Sequence, residues 1–175
     1  MKKIFTLIAA AFVAVAAHAQ FYAGGTASFQ SGDSGYISIA PEAAYSFNDE
    51  FAAGAIVGFR HHNESYDVLS LNPYVRWTFG EWAPLKLFLD AGISFDSVSL
   101  DKKAWGEAKT YSALQVGVKP GIALPLNDDL KFVAHLGFVG FSAADDALQN
   151  AFGYDDGVGA HFSGNNLAIG IFYCF

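Results

Sequence analysis

From residue 20 onward, apolar and polar positions alternate with a period of two, and the alternation recurs to the last residue. It is clearest at the C-terminus: Leu167, Ile169, Ile171, Tyr173 and Phe175 fall on one face, Ala168, Gly170, Phe172 and Cys174 on the other. Between Tyr36 and Phe47, Ile37, Ile39, Pro41, Ala43, Tyr45 and Phe47 oppose Ser38, Ala40, Glu42, Ala44 and Ser46. Leu69, Leu71, Pro73, Val75, Trp77 and Phe79 oppose Ser70, Asn72, Tyr74, Arg76 and Thr78. Likewise Leu87, Leu89, Ala91, Ile93 and Phe95 oppose Phe88, Asp90, Gly92, Ser94 and Asp96. In a fifth segment Leu114, Val116, Val118, Pro120, Ile122 and Leu124 oppose Ala113, Gln115, Gly117, Lys119, Gly121 and Ala123. Three weaker segments, Phe21 to Gln30, Phe51 to Arg60 and Leu130 to Phe141, bring the count to eight, with the facing of the last left open. Helical periodicity is nowhere sustained, so the chain is expected to be all-β.

Side-chain size orients the faces. The apolar face carries Trp, Phe, Leu and Ile, whereas the other is rich in Gly, Ala and Ser with single charges. A narrow closed lumen needs small residues with a few polar ones, and lipid accepts large apolar ones, so the pattern predicts an eight-stranded antiparallel up-and-down transmembrane barrel turned inside out. Strands of about 10 to 12 residues suit a tilted crossing. The connections alternate in length. Asn48 to Glu50, Gly80 to Pro84 and Pro125 to Asp129 are short turns, Ser31 to Gly35 and His61 to Tyr66 are modest, and Ser97 to Thr110 and Ser142 to Ser163 are long. Aromatics gather near the short-turn rim (Phe21, Tyr45, Phe47, Phe51, Trp77, Phe79, Trp82, Phe132, Tyr173, Phe175), and a thinner set near the other (Phe29, Phe59, Phe95). Two such girdles are expected at two membrane interfaces. A soluble barrel with an aromatic core is the competing arrangement.

Residues 1–19 read as a secretory signal peptide: Lys2 and Lys3, an apolar run from Ile4 to Ala17, then Ala17-His18-Ala19. The run falls short of the roughly 20 residues a spanning helix needs. Cleavage before Gln20 would leave a barrel domain of residues 20–175. Composition agrees with export into a membrane. Of 175 residues, 53% are hydrophobic and only 15% charged, against about 25% charged in a soluble domain. Once the leader lysines are set aside, eight Lys and Arg face 17 Asp and Glu, which makes nucleic acid an unsuitable partner. The single Cys174 excludes an internal disulfide and any multi-Cys metal site.

The ending Gly170-Ile171-Phe172-Tyr173-Cys174-Phe175 resembles the C-terminal signal read by the barrel assembly machinery, through Gly170, Tyr173 and the terminal Phe175; Ala168 stands where that signal usually has a polar residue. Pro41-Glu42-Ala43-Ala44-Tyr45 and Asn72-Pro73-Tyr74-Val75-Arg76 are similar to strands that end at periplasmic turns. Together these residues resemble the small eight-stranded outer-membrane β-barrels of Gram-negative bacteria, the OmpA transmembrane domain and OmpX type. The resemblance implies an outer-membrane location, periplasmic termini, and contact with outer-membrane lipid, lipopolysaccharide and the assembly machinery. The barrel takes up the chain after the leader, so the peptidoglycan-binding domain of OmpA-type proteins is not expected in it.

Candidate chemistry is thin. His161-Phe162-Ser163 is similar to the His-x-Ser pair of outer-membrane lipid A deacylases, but that mechanism needs a carboxylate to orient the imidazole, and no Asp or Glu follows Ser163. Adjacent His61 and His62, near Glu64 and Asp67, would point to opposite faces of a strand and suit adventitious metal binding at most. Gly157-Val158-Gly159 lacks the context of a phosphate-cradling loop. No cofactor and no enzymatic activity are expected. The acidic outer loops, with Asp33, Glu64, Asp67, Asp101, Glu107, Asp145, Asp146, Asp155 and Asp156, could take divalent cations that bridge lipopolysaccharide, meet a cationic partner or an extracellular ligand, or simply be solvated, which is the expectation.

The sharpest expectation concerns the lumen. Glu42, Asp90, Lys119 and His135 each lie about five residues from the periplasmic strand ends and Arg76 about three, all on predicted inner faces. Opposite charges at one height should pair in a poorly hydrated interior, with Asp90 and Lys119 the leading pair and Phe88 and Tyr74 filling the section. Eight strands leave an interior that side chains fill, which favours a structural or surface-interaction barrel over a narrow transport channel or a lipid-modifying enzyme.

Overall fold

The computed structural model describes residues 20–30, 35–62, 66–100, 109–144, 157–161 and 167–175; the leader, Ser163 and most of the acidic loop residues lie outside this set. Its strands are β1 (Gln20–Gln30), β2 (Tyr36–Ser46), β3 (Phe51–His62), β4 (Tyr66–Trp82), β5 (Leu85–Leu100), β6 (Thr110–Pro125), β7 (Leu130–His135), β8 (Phe138–Ala144), β9 (Gly157–His161) and β10 (Ala168–Cys174). Every pairing is antiparallel. The order β5-β4-β3-β2-β1-β10-β7-β6 closes through β5–β6. That ring contains eight strands. Segments β8 and β9 continue β7 and β10 upward, since β8 pairs with β6 and with β9.

The break between β7 and β8 explains why facing was hard to read there. Gly121 pairs with His135 but Val118 with Val139, so one extra residue sits on the β7–β8 side. Before the break Val133 and His135 face inward; after it Phe138 and Ser142 do. Opposite stands Pro120, whose carbonyl accepts from the Leu136 amide at 2.8 Å but which has no N–H to give back. A bulge costs least where a ladder bond is already missing, and Gly137 takes φ 151° there.

Elsewhere the faces follow the alternation. Ile37, Ile39, Leu69, Leu71, Val75, Ile169 and Ile171 are exposed, while Ser38, Glu42, Asn72, Tyr74 and Arg76 are buried. Strands β1 to β3 have the expected 11 or 12 residues, but three are longer: β4 has 17 and β5 and β6 have 16 each. Thus Ser97 to Leu100 are strand rather than loop, β4 reaches Trp82 so that the expected Gly80 to Pro84 turn shrinks to Ala83-Pro84, and Ser142 to Ala144 and Gly157 to His161 belong to the wall. At Ser97 to Leu100 the polarity of the faces reverses, with Val98 and Leu100 packed inward and Ser99 exposed, and Ser142 to Ala144 and Gly157 to Ala160 carry mostly small residues, so neither stretch continues the large-outside pattern.

Two short turns share one device. Asn48 Oδ1 accepts from the amides of Glu50 and Phe51 at 2.9 and 2.7 Å. Asn127 Oδ1 accepts from Asp129 and Leu130 at 3.0 and 2.7 Å. Each Asn side chain thereby replaces a backbone acceptor and closes its hairpin tightly. Around this rim the outward aromatics touch in pairs: Phe21 with Phe175 (5.6 Å between ring centres), Tyr45, which is half-buried, with Phe47 (5.3 Å), Trp77 with Phe79 (5.5 Å) and Tyr173 with Phe175 (4.9 Å). Phe29, Phe59 and Phe95 are exposed near the opposite rim.

An outward face made for hydrocarbon has a measurable consequence. Val75 lies between the girdles on β4, and Val75→Arg should lower the unfolding free energy in lipid vesicles by about 2–4 kcal/mol, the range for a cation at mid-depth. Urea titration of the refolded protein reads this directly. Unchanged stability would mean that this face does not meet lipid.

Candidate functional site

Strand register assembles a charged cluster inside the barrel. Arg76 on β4 is opposite Asp90 on β5, and Gly121 on β6 pairs with both Phe88 and His135. Glu42 enters from β2, and all four charged or titratable side chains, Glu42, Arg76, Asp90 and His135, are buried, none more than 5% exposed. Arg76 grips Asp90 with both prongs of its fork, Nε to Oδ1 at 2.6 Å and Nη2 to Oδ2 at 2.7 Å. Its Nη2 also donates to Glu42 Oε1 at 3.1 Å. His135 Nε2 lies 2.9 Å from Asp90 Oδ2 and donates to it.

Two tyrosines extend the network in one direction. Arg76 Nη1 donates to the Tyr22 hydroxyl at 3.1 Å, and Tyr74 donates to Glu42 Oε1. The Tyr22 and Tyr74 hydroxyls are 3.3 Å apart. Since the Tyr74 proton is committed to Glu42, Tyr22 is the donor between them, and the chain runs Arg76 to Tyr22 to Tyr74 to Glu42. Glu42 Oε2 is left buried with no partner among the described residues.

Aromatic rings fill the rest of the section. The Arg76 guanidinium lies 4.0 Å from the centre of the Phe88 ring, 5.2 Å from Tyr74 and 5.7 Å from Tyr22. Phe88 meets His135 edge-on at 5.5 Å, and Phe172 meets Tyr22 edge-on at 5.9 Å. Inward glycines make the room. A Cβ on Gly121 would strike the Phe88 ring, and one on Gly54 would lie 2.8 Å from the Tyr74 hydroxyl. Below the cluster, Lys131 Nζ sits 3.2 Å from the centre of the Tyr22 ring.

Lys119 is the correction. Although it is the register partner of Asp90 on the β6 side, it makes no ion pair with it. Both Asp90 oxygens are occupied by Arg76 and His135, and a planar guanidinium matches a carboxylate in two bonds where an ammonium makes one. Counting residues from strand ends placed Arg76 too low, because β4 runs on to Trp82 and its register lifts Arg76 level with Asp90. The sequence reading did not single out Tyr22, Arg60 or Lys131; parity along β1, β3 and β7 was the available signal, and it is weak where Gly and Ala occupy both faces.

Other candidates fall differently. His61 is exposed and bonds Asp67 at 2.6 Å, whereas His62 stacks on Tyr66 at 4.0 Å, so the adjacent histidines do diverge. Glu64 and Ser163 lie outside the described residues, and His161 is a β9 residue paired with Phe138. Gly157 to Gly159 form strand. Gly170 packs where a Cβ would strike the Gly25 carbonyl, and Tyr173 and Phe175 are exposed in the girdle.

The network ranks its members. Arg76→Met leaves Glu42 and Asp90 buried without a cation and should cost about 3–5 kcal/mol. Lys119→Met, which removes no ion pair, should cost far less. Equal losses in urea midpoints for the two variants would contradict the assignment of Arg76 as the hub.

No protein-family profile matches the sequence, and no curated protein does. Solved structures do. The crystal structure of Neisserial surface protein A aligns with a TM-score of 0.52 at 14% identity, over 89% of this chain and 92% of that one. The N-terminal β-barrel domain of OprF from Pseudomonas aeruginosa aligns with a TM-score of 0.55 at 12% identity, over 90% and 96%. The chain therefore has the fold of the eight-stranded outer-membrane β-barrels.

Proposed function

We propose that this chain is a small outer-membrane barrel with a structural or surface-interaction role, whose lumen is closed by side chains rather than open to solutes. The observation that carries the reading is the buried Arg76 network with Phe88, Phe172 and Tyr22 across one section of the interior. A hydrated ion passing this level would have to separate Arg76 from Asp90 in a low-dielectric setting, and breaking a buried pair of this kind costs about 3–5 kcal/mol. In this reading residues 1–19 are removed on export, both ends of the barrel domain are periplasmic, and the short Asn48 and Asn127 turns face the periplasm. The long connections beyond Leu100 and Ala144 face outward, where they offer acidic side chains to an extracellular ligand. Gly170, Tyr173 and Phe175 serve as the signal for the assembly machinery, and lipid and lipopolysaccharide surround the apolar face.

Planar-bilayer recording of the purified protein tests closure: conductance should be negligible. A large cation-selective current through the unmodified protein would make the Arg76 level a filter and overturn the reading. In intact cells, external protease should cut within residues 101–109 or 145–156; cleavage confined to Asn48–Glu50 or Ala83–Pro84 would invert the topology. Deleting Phe175 should slow insertion, and wild-type arrival of the truncated chain in the outer membrane would remove the assembly role.

A further inference from the structure

Near the outer rim the polarity of the wall reverses. Within the span Phe59, Leu69, Phe95 and Leu114 are exposed outside, while Ser38, Asn72 and Ser94 are buried inside. One step further out the outward positions turn polar. His61 on β3 pairs with Asp67 on β4, Ser97 on β5 with Ser112 on β6, and Ser99 with Thr110 beyond them. The inward positions there are apolar, and Tyr66, Val68, Val98 and Ala113 pack into a cluster with Leu100 and Tyr111. A sheet with a polar outer face and an apolar inner one is built for water outside, so the hydrocarbon ends at this line. The line drops by one ladder step between β4 and β5, where the still apolar Leu69 pairs with Ser97, as strands tilted in a barrel require.

A groove of about 550 Å³ lies across this line. Below the line its walls are Phe95 and Leu114, 52% and 38% exposed, with Ala143 beside Leu114; above it stand Ser97 and Ser112, and Asp96 and Ala113, inward by parity, lie at its floor. Register explains the hollow. Phe95, Leu114 and Ala143 are successive partners across β5, β6 and β8, and the small Ala143, Ser97 and Ser112 leave room beside and above two bulky side chains. The groove is therefore apolar at its membrane end and lined by hydroxyls at its outer end. Each hydroxyl offers one donor and two acceptor positions, which suits the neutral hydroxyls and amides of a sugar, whereas phosphate is best met by guanidinium or ammonium groups. A ligand cut to this pattern has a hydrocarbon chain continuous with the membrane and a sugar head at the interface.

We propose that the groove between Phe95 and Leu114 seats one acyl chain of a glycolipid of the outer leaflet, whose sugar head hydrogen-bonds Ser97 and Ser112 and extends toward Ser99 and Thr110. The seat lies on the outer wall and takes no part in closing the lumen. It rests on the outer-membrane reading and gives the surrounding lipopolysaccharide one fixed position on the barrel. The two are separable: Val75→Arg tests whether the wall meets lipid at all, and a barrel that passes that test but holds no glycolipid fails only here.

Native mass spectrometry of the refolded protein, released from mixed micelles that contain purified lipid A or phosphatidylethanolamine, reads retained lipid as a mass increment. The wild-type protein should keep one lipid A under conditions that strip phosphatidylethanolamine. Ser112→Phe and Ala143→Phe fill the groove with outward bulk that lipid accepts, so each should retain heat-dependent gel mobility as a sign of folding and lose the bound lipid A. Ala91→Phe, a similar enlargement on the outward face of β5 away from the groove, should keep it. Replacing both Ser97 and Ser112 with Ala should bring lipid A down to the level of phosphatidylethanolamine. No lipid A on the wild type, equal retention of phosphatidylethanolamine, retention that survives in the folded groove-filling variants, or an undiminished preference without the two hydroxyls would overturn the seat. If neither groove-filling variant folds, wild-type crystals grown with lipid A decide the question. Density for a chain between Phe95 and Leu114 supports the proposal, and its absence there refutes it.

Discussion

The bidentate contact between Arg76 and Asp90 is the interaction on which the interior depends. Two carboxylates, Glu42 and Asp90, are buried in one section of the barrel, and Arg76 is the cation hydrogen-bonded to both. At an effective dielectric constant of 20, like charges about 4 Å apart repel by about 4 kcal/mol, and a neighbouring guanidinium reverses the sign of that term. The same group donates to Tyr22, which fixes the direction of the tyrosine chain and so the orientation of Tyr74 toward Glu42. Phe88 then packs against the face of the guanidinium. Remove the fork and the hydroxyls, the carboxylates and the ring lose a common partner.

A narrow lumen within lipid dictates the rest. Outside, bulk is tolerated everywhere, so Trp77, Phe79, Leu71 and Ile39 need no partners beyond hydrocarbon. Inside, every large ring must be matched by a small residue across from it. Gly121 yields to Phe88, Gly54 to Tyr74, and Gly24 to Phe172, whose Cδ1 would lie 2.7 Å from a Cβ there. This is why the chain is at once rich in aromatics and rich in glycine, a combination that a soluble barrel with its large residues inward would not need.

Much of this was legible in the sequence. Period-two alternation with size asymmetry identified the barrel and its inverted polarity, because lipid and lumen impose opposite size rules on alternate residues. It also named Glu42, Arg76, Asp90 and His135 as inward charges. What the alternation could not supply was height. Levels inside a barrel depend on shear, which accumulates from strand to strand and is fixed by turns and bulges rather than by any one strand's pattern. Hence Asp90 appeared to face Lys119, when Arg76 reaches it from the other side with a better-shaped group. The outer strand ends were missed for different reasons: at Ser97 to Leu100 the contrast is reversed, with Val98 and Leu100 inward, and around Ser142 and Gly159 the residues are mostly small.

The polar cluster also supplies something that the lipid-facing surface cannot. A slip of two residues between neighbouring strands keeps every apolar side chain outward and every inward residue inward, so the outer face is nearly indifferent to it. The interior is not. Slipping β5 on β4 by two would set Arg76 against Phe88 or Gly92 in place of Asp90, and slipping β6 on β5 would carry Gly121 away from the Phe88 ring. Either change buries a carboxylate without its fork or drives a ring into a Cβ, at several kcal/mol against almost nothing outside. In a protein whose apolar face meets a featureless solvent, the buried charges and the ring-and-glycine pairs together distinguish one register from the next.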